Sequence, residues 1–402
     1  MRRDLGCDGD LTCFFAHVCC SVSVCQVKLS TKSFGRDAAL VAAAAFSAVK
    51  ATLQEVDLSD VLAGRPEAEA LEALGIMCSA LSASNGVSLD SLDLSDNALG
   101  EKGVRAAAPA LSGQPGLKAL ALQNDGISAH AAAALGEVLA SRDSLHSLRL
   151  YNNMTGDEGA MHVAALLAKC PNLRELRLVS SRVQTQGGTA LATALGGLSG
   201  KALTQLDLCD NGLGPECGGP LGGVVAFHTQ LTVLLLNECG LCDEGLAPLA
   251  AGLKGHGALS RLELCCNEIT PSGAKALAGV LPTLTRLTAL RLAENELGDE
   301  GVVILAKALH AASGLPDLAE LDFSSNELHG TGARPLGAAA ASRRCAKLGL
   351  DGNEIGAASV AAVAKLLAAS GGELGPMEDN DPDADDEEEG DDVDLDMGKA
   401  TL

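Results

Sequence analysis

Three side chains have the type and placement to act on a partner: Arg65, Asn124 and Asn152. Arg65 stands just ahead of Pro66 in AGRP. Proline fixes its own φ, biases the preceding residue to an extended conformation, and suits the first turn of the helix-like stretch EAEALEAL. A guanidinium on a short, stiffened loop is a candidate contact for an anion or a carboxylate, because its planar fork matches those groups. The competing reading is a surface Arg paired with a neighbouring Glu. Asn124 falls in LALQNDGIS, with Asp125 next to it, and Asn152 in LRLYNNMTG, with Tyr151 beside it. A lone outward Asn carries little weight; Arg65, Asn124 and Asn152 together at one edge would form a stripe. Chemistry of the chain's own is hard to find. GGLSGKA is too short in its glycine spacing for a phosphate loop, and Ala202 stands where Ser or Thr is needed. The eight histidines are scattered and form no H-E-x-x-H. Acids in GDEGA and GDEGV suit solvated helix N-termini better than acid–base catalysis.

The elements that must hold these residues come from one returning phrase. LDLSDNALG, LDLCDNGLG and LRLAENELG are its best copies. Taken at the first apolar residue, the phrase starts at Leu92, Leu120, Leu148, Leu176, Leu206, Leu234, Leu262, Leu290, Leu321 and Leu348. The gaps are 28, 28, 28, 30, 28, 28, 28, 31 and 27 residues, and weaker copies begin at Val56 and Val27. A period of about 20–29 residues with L-x-L-x-x-N/C-x-L is the leucine-rich repeat signature. Alternation marks a short strand with one buried face. The sixth-place Asn (Asn97, Asn153, Asn211, Asn267, Asn295, Asn326, Asn353) can donate to and accept from backbone groups that the turn leaves unpaired. Cys239 and Ser181 keep a weaker donor there. Behind each strand comes a helix: Val302, Leu305, Ala306 and Leu309 share one inward face. Strand then helix, repeated about twelve times, predicts an α/β solenoid, a horseshoe with a concave parallel β-sheet and convex helices. The long unit resembles the ribonuclease-inhibitor type of repeat.

Measured against the period, Val56 to Leu92 is eight residues too long. The excess follows VDLSD and is expected in a strand-to-helix loop on the rim, carrying an exposed Arg65. Asp125 occupies the structural Asn place, and Asn124, Tyr151 and Asn152 fall in outward places.

Composition bounds the rest. Aromatics are 2% and the formal charge is −23, so stacking on bases and neutralising phosphates are both poorly served. The repeat domain is expected over residues 26–372. From Glu373 onward there are fourteen acids and one base, which predicts a solvated acidic tail over 373–402. That tail either solubilises the chain or steers a basic partner. Residues 1–25 hold five cysteines and an apolar run too short to span a membrane, expected as a disordered or capping extension, with a signal peptide as the alternative. The fourteen cysteines form no disulfide framework and no second C-x-x-C joins Cys239 and Cys242, so packing or surface thiols are expected, in a reducing compartment. No metal site and no cofactor are expected.

VDLSDVLAGRPEAEAL, LDLSDNALGEKGVRA, LQNDGISAHAA, YNNMTGDEGA and DNDPD resemble the Ran GTPase-activating proteins, particularly their plant and green-algal branch. The resemblance runs from about Ser33 to Asp396. It implies a leucine-rich crescent with an acidic tail that stimulates GTP hydrolysis by Ran, in its GTP-bound form, during nucleocytoplasmic transport. The chain would then be a GTPase activator rather than an enzyme in its own right, with Ran-binding proteins as further partners and no membrane insertion. The family's important Arg matches Arg65, implied to bind Ran rather than to act as an arginine finger. Its key Asn matches Asn124, implied to orient the catalytic Gln of Ran, with Asp125, Tyr151 and Asn152 beside it as partner contacts. Plant members carry a targeting domain named for a Trp-Pro-Pro motif, whereas this chain has no Trp. The expected location is therefore diffuse cytoplasm, with the nuclear envelope second. The alternative function is a ribonuclease-inhibitor-like binding module without GTPase activation.

Overall fold

The computed structural model describes residues 24–312, 315–381 and 383–384. They belong to two compact units, Met1–Leu203 and Thr204–Leu402. Each unit repeats one local event. The two leucines of a phrase lie two apart and so point the same way in a strand. Leu92 and Leu94 are 1% and 0% exposed, while Asp93 between them faces outward.

In the first unit the strands are β1 (Gln26–Lys28), β2 (Glu55–Asp57), β3 (Ser91–Asp93), β4 (Ala119–Ala121), β5 (Ser147–Arg149) and β6 (Glu175–Arg177). Each pairs in parallel with the next, and Val27, Val56, Leu92, Leu120, Leu148 and Leu176 stand in register. In the second unit β7 (Gln205–Asp207), β8 (Val233–Leu235), β9 (Arg261–Glu263), β10 (Ala289–Arg291), β11 (Glu320–Asp322), β12 (Lys347–Gly349) and β13 (Glu373–Leu374) pair the same way. All twelve expected phrase starts are thus strand centres. Val302, Leu305, Ala306 and Leu309 are each 0% exposed, as the helical period requires. Small Ala side chains fill much of the helix–strand interior, and few rings are needed.

Adjacent coils are joined by side chains working in opposite directions at two heights. At the strand end, the ladder Asn of one coil serves the coil before it. Asn97 Oδ1 accepts from the Val61 and Leu62 N–H groups at 2.9 and 3.1 Å, and its Nδ2 donates to Leu58 O at 2.8 Å. The substitutes behave as expected: Ser181 Oγ donates to Leu150 O at 3.1 Å and Cys239 Sγ to Leu208 O at 3.4 Å. At the helix start, an Asp of one coil serves the coil after it. Asp157 Oδ1 accepts from Gln184 and Gly187 N–H at 2.8 and 2.9 Å, capping the helix Thr185–Gly196. Asp243 does the same for Thr270 and Gly273 N–H at 3.0 and 2.9 Å. A Cβ on Gly187 would come within 2.7 Å of Asp157 Oδ1, and one on Gly273 would collide with Asp243 Oδ1. The acids of GDEG therefore divide: the Asp is tied to the neighbouring coil, and Glu158 is left in solvent.

Three boundaries differ from expectation. The eight extra residues of the second coil do not all lie ahead of the helix. Against the coil running from Ser147 to Glu175, three precede the helix Glu67–Ala80, two lengthen it, and three follow it around the short turn Ala83–Asn85. Secondly, repeat architecture continues past residue 372. β13 pairs with β12, and Asn380 Oδ1 accepts from Ile355 N–H at 3.1 Å in the manner of a ladder Asn. An acidic tail can begin only after that; residues 385–402 lie outside the described residues. Thirdly, Cys25 O accepts from Gln54 and Glu55 N–H at 2.8 and 2.9 Å, so the fold already includes this residue. The extension expected before it, through residue 23, lies outside the described residues as well.

The ten cysteines among the described residues are free thiols. Burial pushes Cys78 up to about 12 and Cys265 up to about 11, which keeps both protonated and unreactive at neutral pH. Among the described residues no three metal-ligating side chains come together, and no helix is long and apolar enough to cross a membrane.

Candidate functional site

Three places after the end of each strand from β1 to β12 comes a residue with left-handed backbone, one place before the ladder position. In the first unit this column is Thr31, Asp60, Asp96, Asn124, Asn152 and Ser180, with φ of 63°, 51°, 63°, 54°, 52° and 49°. The turn that swings the ladder side chain inward leaves this residue facing out. Asn and Asp tolerate the conformation best among non-glycine residues. The backbone is pinned by the next coil: Asp96, Asn124 and Asn152 N–H groups donate to Gln123, Tyr151 and Val179 O at 2.8, 2.8 and 2.9 Å. Their side chains are consequently exposed on a fixed base.

Three of them touch. Asn124 Nδ2 donates to Asp96 Oδ1 at 3.0 Å, and Asn152 Nδ2 donates to Asn124 Oδ1 at 3.1 Å. Two exposed apolar groups lie in the same coil as Asn152: Tyr151 is 43% and Met154 56% exposed. An aromatic ring and a flexible thioether beside ordered carboxamides resemble the composition of a protein contact surface.

The stripe expected from Arg65, Asn124 and Asn152 therefore has a different first member. Asp96 occupies the intervening coil, and the sequence reading passed over it. The signal was present, since Asp96 stands in LDLSDN where Asn124 stands in LALQND. Arg65 is not the exposed side chain expected. Its side chain is 22% exposed and folds back over the preceding coil. Nε donates to Ser33 Oγ at 2.9 Å, Nη2 donates to Ser33 O at 3.2 Å, and Nη1 lies 3.6 Å from Glu69 Oε1. Gly35 makes room for this arrangement, because a Cβ there would stand 3.2 Å from Nη1 and closer still to Glu69 Oε1. The reading of an Arg paired with a neighbouring Glu describes its surroundings better.

Asp125, expected among the partner contacts, is 0% exposed and cannot be one. It fills the ladder place. Oδ1 accepts from Asn97 N–H at 2.8 Å, but among the described residues the buried Oδ2 finds no partner. A carboxylate cannot make the donations to carbonyls that Asn153 makes one coil later, to Leu122 O at 2.8 Å. Burial pushes its carboxyl well above the usual Asp range; the Asn97 N–H opposes this, and the Asp96 and Asp93 charges add to it.

This fixes the sign of a pH effect. A carboxyl whose pKa is raised by folding stabilises the fold when protonated, and that stability is lost as pH rises from the unfolded value, about 3.9, through the raised one. Asp125→Asn should remove this loss and restore a donor, so it should stabilise at pH 7.5 by roughly 1–3 kcal/mol. The gain should shrink as pH falls toward 4. Urea unfolding of both forms at the two pH values measures it; a variant less stable at pH 7.5 would overturn the assignment.

Comparisons with known proteins bear on both frame and rim. A family model described as leucine-rich repeat matches residues 87–106, 169–192, 259–278 and 283–306. RAN GTPase-activating protein 1 of Arabidopsis thaliana is 54% identical over 81 residues, 20% of this chain and 15% of that protein. RAN GTPase-activating protein 2 of the same plant is 54% identical over 78 residues, 19% of this chain and 14% of that protein. These matches thus span about one seventh of the relatives' own length. Among solved structures, a chain in the yeast Rad7 and Elc1 complex aligns with a TM-score of 0.54 at 16% identity, covering 80% of this chain and 76% of that one. That likeness bears on the fold alone. Phrase, strand register, ladder side chains and family-model matches agree, and the chain is an α/β leucine-rich repeat solenoid.

Proposed function

We propose that this chain is a GTPase activator for a Ran-type small GTPase, acting on the GTP-bound form and contributing no nucleotide site of its own. The observation that carries the proposal is Asn124: exposed, backbone-pinned and amide-anchored, in a segment whose sequence resembles the plant Ran GTPase activators. Water attack on GTP needs little covalent help; it needs a water held in line by a correctly placed Gln of the GTPase. A fixed carboxamide on a rigid rim can position that Gln by hydrogen bonds. Asn152 and Tyr151 would extend the contact. Arg65 suits binding rather than insertion as a finger, since its guanidinium is engaged by Ser33 and Glu69. A cytoplasmic site of action and a role in nucleocytoplasmic transport belong to the same proposal.

The test is single-turnover GTP hydrolysis by Ran with and without the protein at micromolar concentration. Acceleration by orders of magnitude is expected, and none would end the proposal. A second reading has its own observation. In the second unit the rim column carries exposed Asp210, Glu238 and Glu294, which suits a ribonuclease-inhibitor-like module that occludes a basic target. That reading predicts binding without any change in hydrolysis rate.

A further inference from the structure

We propose that Asp96 is a positioning residue that sets which way round the Asn124 carboxamide is presented, with Asn152 as the second anchor. The inference deepens, and rests on, the reading of Asn124 as the group that meets the GTPase. The oxygen and nitrogen of an amide are nearly the same size, so its orientation must be argued from its partners. Here chemistry leaves one choice. A carboxylate only accepts, so whichever Asn124 atom faces Asp96 at 3.0 Å must be Nδ2. Oδ1 is then turned to Asn152, which must answer with its own Nδ2, at 3.1 Å. One negative charge thereby orients two amides in succession.

The valences left over define what can be recognised. Nδ2 carries two protons and Oδ1 two lone pairs. Asp96 and Asn152 take one of each, leaving Asn124 with one N–H and one lone pair in a fixed order along the rim. A partner carboxamide or peptide group offers the complementary acceptor and donor, also in a fixed order. Reversing Asn124 would match acceptor to acceptor. The column supports the assignment: it carries Asn only at 124 and 152, and the residue immediately before that pair is acceptor-only.

The decisive variant is the exchange Asp96→Asn with Asn152→Asp. Composition, net charge and the number of side-chain bonds are all kept, and both residue types tolerate left-handed backbone. The carboxylate now sits on the opposite side, so Asn124 is presented reversed. With native-like unfolding, the maximal rate of Ran GTP hydrolysis should fall about tenfold or more, with little change in the concentration giving half-maximal rate. Asp96→Ala should fall between this and native. A role confined to stability predicts the contrary, with the exchange restoring native rates, and that result would overturn the inference.

A second readout needs no GTPase. The Asn124 side-chain amide resonances, assigned by their loss in Asn124→Asp, should show one Nδ2 proton shifted downfield by the Asp96 bond. In Asp96→Ala that shift should collapse. If the native protein shows no such shift, the inference fails whatever the hydrolysis data say. If the shift is present but Ran is never activated, the orientation stands and the functional reading fails.

Discussion

Asn124→Ala is expected to lower the acceleration of Ran GTP hydrolysis by on the order of 10²–10³-fold, the range found when one preorganised hydrogen-bond donor is removed from a reacting centre. The side chain supports no core: it is exposed, and among the described residues its amide bonds to Asp96 and Asn152 alone. One complication is local. Asn124 has φ of 54°, and Ala tolerates that conformation less well, so some loss of stability, roughly 1 kcal/mol, accompanies the change. Asn124→Gly removes the same amide without the backbone penalty. Both variants should therefore lose activity equally while differing slightly in urea midpoint. Retention of the rate within about threefold in both would show that the amide does not position the GTPase.

The largest stability effect should come from Asn267→Ala. Asn267 is 0% exposed, and its Oδ1 accepts from Cys239 and Leu241 N–H at 3.2 and 3.1 Å. Nδ2 donates to Leu236 O at 2.8 Å. Removing the amide strands three buried backbone groups of the preceding coil, at about 1–3 kcal/mol for each one that water cannot reach. A total loss of roughly 3–5 kcal/mol follows, together with faster hydrogen exchange at Leu241 N–H. Asn267→Cys should lose less, on the precedent of Cys239. There the thiol keeps a donor and still meets Asn211 N–H, which also reaches Glu238 O at 3.2 Å, while Leu213 N–H is rerouted to Asn211 O at 2.9 Å. Equal losses for Ala and Cys would mean that the rerouting depends on neighbours special to Cys239.

Most of the frame was legible because it is periodic. Val27 and Val56, the weakest copies of the phrase, fall in register beside Leu92 since alternation and spacing alone decide a strand's buried face. Leu374 was missed, because the acids after it outweigh one apolar residue in any compositional reading. Asn124 and Asn152 were legible as outward positions, being offset by one from the ladder. Asp96 sits at the same offset and was readable by the same rule. Arg65 was legible in part: pairing with a neighbouring Glu was one of its two readings, but its partner Ser33 is 32 residues away and belongs to another coil. Asp125 carried two incompatible readings, ladder residue and partner contact. Only burial separates them, and burial is a property of the packed turn rather than of the letter D.

The Asp–glycine pairs between coils imply a rule of compatibility for grafting. A coil does not carry all the instructions for its own helix: the start at Thr185 is capped by Asp157, and the one at Pro271 by Asp243. A coil transplanted behind Asp157 or Asp243 must bring glycine at the place of Gly187 or Gly273, or meet the carboxylate head-on. Tandem duplication of a segment that holds both members satisfies this automatically, whereas shuffling single coils does not. The shortest whole-coil module that carries one such contact intact is therefore a pair of successive coils, as from Leu148 to Gln205, which holds both Asp157 and Gly187.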